Sequence, residues 1–135
     1  MIVVTGAPCS GKSTYIATNA TAGDVIIDMD RIALALTTDD TPHHGYDEHV
    51  RFVARQARHA AINAALHAHQ VTGCRVWIID TFPSRTRWRK AGARIEVMDP
   101  GIEVCLQRAS EQRPEWVQQI IGDWYAKYQP AADGF

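Results

Sequence analysis

Gly6-Ala7-Pro8-Cys9-Ser10-Gly11-Lys12-Ser13 places two glycines around four intervening residues, followed at once by a lysine and a hydroxyl side chain. This Gly-x-x-x-x-Gly-Lys-Ser/Thr spacing suits the capture of a phosphate chain. Glycines let the backbone wrap closely around the anion, and successive N–H groups with the positive end of a following helix bind it. Lys12 would supply a point charge to the β- and γ-phosphates, and the Ser13 hydroxyl would ligate Mg²⁺. The flanks agree with that reading. Met1–Thr5 is a short β-branched apolar run, and Gly11–Ala20 reads as a helix. Gly6, Ala7, Pro8, Cys9, Ser10, Gly11, Lys12, Ser13 and Thr14 are therefore the expected nucleotide contacts, with ATP and Mg²⁺ as cofactors. Cys9 reads as a small tolerated residue, with a redox role as the minor alternative.

Carboxylates end two further apolar runs. Val25–Asp28 is followed by Asp30, and Trp77-Ile78-Ile79 by Asp80. In parallel α/β sheets, ligands sit outside the carboxyl ends of the strands. Lys12, Asp28, Asp30 and Asp80 are thus expected to converge on one crevice. Asp80 ends a run that looks like a Walker B strand, whose carboxylate orients Mg²⁺ or its waters; a helix cap is its other reading. In an extended Asp28-Met29-Asp30 segment, the two carboxylates would share a face. Asp28 is then expected on the metal side, and Asp30 as the base that takes a proton from an acceptor hydroxyl. A helix cap is the alternative for Asp30. Arg108 and Arg113 flank Ala109-Ser110-Glu111-Gln112 and read as lid arginines for a transferring phosphoryl group.

The elements that must position these residues alternate. Strands are expected at Met1–Thr5, Val25–Asp28, Arg75–Asp80 and Ala93–Met98. Between and after them come helical turns at Arg31–Leu36, a long helix over Tyr46–Gln70, a short basic helix or loop at Ser84–Ala91, and a helix at Ile102–Ala109. A last helix would carry Pro114 in its first turn and run to about Tyr128. In the long helix, Val50, Val53, Ala57, Ala60, Ala64 and Ala68 recur at helical steps and predict a face lying close on a sheet. Strand–helix alternation from end to end predicts a three-layer αβα domain over residues 1–128 with a parallel sheet of about four strands. Residues 129–135 are expected to form a frayed tail.

Composition removes several classes. At 135 residues the chain is too short for a helicase core or a two-domain enzyme. Lys and Arg total 14 against 15 Asp and Glu, so no general field draws nucleic acid and any such contact must be a local patch. Arg85, Arg87, Arg89 and Lys90 around Trp88 are such a patch, with Trp88 read either as a stacking platform for a base or as core. Arg51, Arg55 and Arg58 share a helix face and read mainly as solvated. The odd set Cys9, Cys74 and Cys105 has no Cys-x-x-Cys spacing, which argues against a zinc site or a disulfide framework. His43–His44 reads as a loop pair. Asn19 and Asn63 are the two asparagines, and neither begins the Asn-Lys-x-Asp sequence that reads guanine. No apolar run approaches a membrane span and no signal peptide is evident, so a cytoplasmic location without membrane partners is expected. An oligomer is compatible with the chain.

Taken together, the N-terminal loop, the Asp after strand two, the apolar run into Asp80-Thr81 and the downstream arginines resemble the 5′-hydroxyl polynucleotide kinase family, in particular its phage-type kinase domain. The resemblance covers roughly residues 1–128. It implies a sheet order of 2-3-1-4, ATP-dependent transfer of the γ-phosphate to the 5′-OH of a DNA or RNA end, Asp30 as general base, and Arg113, or Arg108, as the lid arginine. The family also carries a phosphate-holding arginine about three residues after its base. Here that position is Ala33, and Arg31 is the nearest cation. Arg31, Arg85, Arg87 and Trp88 are the expected substrate contacts. Asp28-Met29-Asp30 is also similar to the Asp-x-Asp of shikimate-type kinases. Two alternatives stay open: a small-metabolite or nucleoside kinase, and a non-catalytic nucleotide-binding module.

Overall fold

The computed structural model describes residues 1–128; the expected frayed tail, 129–135, lies outside them. Four strands, β1 (Ile2–Thr5), β2 (Val25–Ile27), β3 (Val76–Ile79) and β4 (Arg94–Val97), form one parallel sheet in the order β2-β3-β1-β4. The helices are α1 (Lys12–Asn19), α2 (Met29–Ala35), α3 (Glu48–Thr72), α4 (Arg85–Lys90), α5 (Ile102–Gln112) and α6 (Val117–Lys127). This is an α/β fold, consistent with a three-layer αβα arrangement, and its strand order is the one expected. The chain divides into two compact units: Met1–Ala20 with the chain from Ile79 onward, and Thr21–Ile78.

In the first unit every residue of β1 is buried, as befits a strand covered on both faces. It pairs with β4 from Ile2↔Arg94 to Thr5↔Val97. Helices α5 and α6 close a core of Ala7, Cys105, Ala109, Val117, Ile121 and Trp124. The Trp124 indole donates to the Thr81 carbonyl at 2.9 Å, so burying this large ring leaves no orphaned N–H. Helix α5 runs three residues beyond its expected end at Ala109. Nothing in Ser110-Glu111-Gln112 opposes helix, and it is Pro114 that disfavours the α conformation at Arg113, which caps the helix with extended backbone. Helix α6 begins at Val117, so Pro114 lies in the turn before it, where its carbonyl accepts from the Val117 N–H.

The second unit pairs β2 with β3 and packs α2 on α3 around Ala33, Tyr46 and Ala54. The period expected for α3 is present, but its phase is not the expected one. The buried residues are Ala54, Ile62 and Ala65, while Val53 is 49% exposed. Alanines occur on several faces of this helix, so their spacing fits more than one phase. Ile62, fully buried, carries more apolar surface than any of them and lies on the inward side.

Asp24 ties this unit together. Its Oδ2 accepts from the Arg75 Nε at 2.8 Å, the Trp77 indole at 2.9 Å and the Thr21 N–H at 3.0 Å. These donors, led by the Thr21 N–H, hold the carboxyl down to about 2. A depressed carboxyl stabilises the fold above its unfolded value of 3.8, and that contribution is lost as pH falls from there towards about 2. Asp24→Asn is expected to lower the urea midpoint at pH 7. Well below pH 2, where wild type has also lost the charge, the two midpoints should approach each other; an undiminished gap there would assign the effect to shape instead.

Candidate functional site

The residue 6–13 loop lies wholly within the first unit. It leaves buried β1 and enters α1 through Gly11, whose φ of 96° is left-handed. No side-chain hydrogen bond caps α1. Gly6 is required for a different reason. A Cβ there would lie 2.3 Å from the Ser10 Oγ and 2.6 Å from the Met98 carbonyl oxygen. Cys9 takes φ of 63°, a conformation costing a non-glycine residue about 1–2 kcal/mol. Lys12 is buried and folds back across the loop, donating from Nζ to the Gly6 carbonyl at 2.8 Å and the Ala7 carbonyl at 2.7 Å. Ser13 and Thr14 are exposed on the first turn of α1. Ser10 is 6% exposed and its Oγ is buried with no hydrogen-bond partner.

Arg108 reaches this loop, donating from an Nη to the Cys9 carbonyl at 3.1 Å. It does so from within α5, and Arg113 is the cap of that helix. The expected lid segment between the two arginines is therefore helix. Cys105, fully buried on α5, belongs to the core that Cys9 packs against, and burial pushes its thiol up.

Asp80 is bonded by the Trp88 indole, Nε1 to Oδ2 at 3.0 Å, and its backbone N–H donates to the Val4 carbonyl. The cap of α4 is Ser84, so the capping alternative for Asp80 does not hold. Trp88 is 1% exposed, and the Arg87 guanidinium lies over its ring at 4.9 Å. A ring so enclosed offers no face to a stacking base, which corrects that expectation; the core reading of Trp88 stands. Six-residue α4 is too short to be stable alone, and Trp88 is its anchor. Arg87, Arg89 and Lys90 are exposed on it, with Arg85 half-buried.

In the second unit the acidic segment departs from the extended form expected. Helix starts at Met29, earlier than Arg31. Asp28 is the cap, its Oδ1 accepting from the Asp30 N–H at 3.0 Å, so the two carboxylates do not alternate along a strand. The capping role weighed for Asp30 falls to Asp28. Asp28 is buried, and desolvation pushes its carboxyl above the ordinary range against the pull of the Asp30 N–H. Asp30 stands in the first helical turn. The Tyr46 hydroxyl donates to its Oδ1, and the His44 Nδ1 lies 3.5 Å from the same oxygen. Burial and the bond to Asp30 push the phenol of Tyr46 well up, so it remains a donor. Arg51 stacks over the Tyr46 ring at 4.9 Å and, like Arg55, pairs with Glu48. Arg31 is exposed on α2.

Sequence reasoning missed Tyr46, His44 and the indole of Trp88 as partners of the carboxylates. Tyr46 reads from the sequence as the start of the long helix, which begins instead at Glu48; it lies 16 residues from Asp30, and no short-range pattern joins them. Among the described residues, no group of three or more His, Cys, Asp or Glu side chains is arranged to hold a metal ion by itself. No described helix is long and apolar enough to cross a membrane. No protein-family model matches the chain, and no curated protein matches it significantly.

A buried hydroxyl without a partner costs about 1–3 kcal/mol. Ser10→Ala is therefore expected to raise the Tm of the ligand-free protein while weakening any nucleotide bound at the loop. Differential scanning calorimetry with and without ATP checks both signs; a variant less stable without ligand would mean that the hydroxyl is already satisfied.

Proposed function

We propose that the protein is an ATP-dependent phosphotransferase that moves the γ-phosphate to a hydroxyl, with the residue 6–13 loop as its phosphate-binding loop. The observation that carries this reading is the loop itself. The buried Ser10 hydroxyl lacks a partner, the α1 N-terminus lacks a side-chain cap, and a buried ammonium lies across the same turn. Each of these is what an anion with several oxygens would complete. A divalent cation fits as a companion of the phosphates, with the exposed Ser13 hydroxyl on α1 and the Asp80 carboxylate as its protein-side groups, since no ready-made cage is present among the described residues. When bound, Mg²⁺ would neutralise phosphate charge. Asp28, buried and spent on capping, suits that role less well than Asp80.

In this reading Lys12 exchanges its loop carbonyls for phosphate oxygens. Arg108, held at the Cys9 carbonyl, serves the charge on the transferring group, with Arg113 as the alternative. Asp30 takes the acceptor's proton, and Tyr46 and His44 fix the orientation of its carboxylate. The resemblance to 5′-hydroxyl polynucleotide kinases and the cations of α4 favour a DNA or RNA 5′-OH as acceptor. The burial of Trp88 removes one support for that choice.

Lys12→Ala is expected to abolish transfer from radiolabelled ATP and to weaken ATP binding; near-wild-type turnover would overturn the nucleotide site. Asp30→Asn should lower kcat by about 10²-fold with ATP affinity unchanged, the scale of a lost general base. Tight ATP binding with no transfer to any 5′-OH strand, nucleoside or sugar would point instead to a non-catalytic nucleotide-binding module.

A further inference from the structure

A cavity of about 470 Å³ opens in the segment between α2 and the start of α3. Its volume lies within the range of small-ligand pockets. Its lining combines three kinds of group. Leu36, Pro42 and Val50 supply apolar surface, and Leu36 is 48% exposed. Threonine hydroxyls, among them that of Thr41, supply donors and acceptors. Asp40 and Asp47 supply charge, and among the described residues that line the cavity there is no Lys, Arg or His.

The Thr38 hydroxyl donates to Asp40 and holds its carboxyl below the ordinary range. Asp47 occupies the cap position of α3 but makes no side-chain cap hydrogen bond, so helix α3 does not consume its acceptors. The cation in contact with the cavity wall, Arg51, lies over the Tyr46 ring and is directed to Glu48. The surrounding sequence adds Asp39 of the same sign, while Glu48 is paired with Arg51 and Arg55. A phosphodiester strand would meet like charge here, whereas an ammonium group would meet two acceptors. Tyr46 is among the lining residues and donates its hydroxyl to Asp30, which is not one of them.

We propose that this cavity binds a small polyhydroxylated cation, an amino sugar in chemical class. The binding does not depend on the kinase reading. The apolar face of a sugar ring would cover Leu36 and Pro42, its hydroxyls would meet the threonines, and its ammonium would lie towards Asp40 and Asp47.

The test uses the full chain, labelled with ¹⁵N at low salt and titrated with D-glucosamine, D-glucose, D-glucose 6-phosphate and a 5′-OH oligothymidylate. Glucosamine should shift amides within residues 36–50 and bind at least about tenfold more tightly than glucose, with the advantage shrinking as salt rises. Glucose 6-phosphate and the oligonucleotide should leave those amides in place. In the doubly substituted Asp40→Asn, Asp47→Asn protein, whose fold the same spectra verify, glucosamine should fall to the affinity of glucose. Equal response to glucose and glucosamine, or no response to either, overturns the proposal. Perturbation of residues 36–50 by the oligonucleotide overturns it as well, since like charge should keep a phosphodiester strand away. Should Lys12→Ala leave ATP binding intact while glucosamine still maps to the cavity, the kinase reading falls and the cavity stands.

Discussion

Position 6 has no room for a side chain. The chain leaves a strand buried along its whole length and must turn at once, with Ser10 on one side and the Met98 backbone on the other. That close approach sets the loop that follows. It brings the Gly6 and Ala7 carbonyls to the Lys12 ammonium, turns the Ser10 hydroxyl into a buried site without a protein partner, and leads to the left-handed entry at Gly11. The strain held at Cys9 belongs to the same turn, and α5 braces it by the bond from Arg108 to the Cys9 carbonyl. A loop that forgoes good backbone geometry and leaves a hydroxyl unsatisfied holds a local cost that the surrounding fold must offset.

The carboxylates show how environment separates residues of one type. Asp24 is surrounded by donors, and its charge is stabilised. Asp28 is buried, and desolvation prevails over the pull of the Asp30 and Arg31 N–H groups. Asp30 is 40% exposed, its orientation set by a phenol and an imidazole. Asp80 is held by an indole N–H that also anchors a short helix. Asp24 thus serves the fold and Asp28 begins a helix. Asp30 and Asp80 are each oriented by a side-chain donor distant in sequence.

The sequence by itself determined the order of the elements and the location of the glycine–lysine loop. Both depend on neighbours along the chain: β-branched runs, alternation of strand with helix, and residue types at fixed short spacing. Tertiary structure decided which side of α3 faces inward, because scattered alanines leave the phase open until Ile62 is packed. It decided that Trp88 is core and not a platform, since an aromatic among arginines reads the same either way until its indole finds Asp80. It turned the Asp28–Asp30 stretch into a helix start, where a cap bond outweighed extension. It joined Asp30 to Tyr46 across an intervening loop, a contact that no local pattern encodes because it is made by packing α2 on α3.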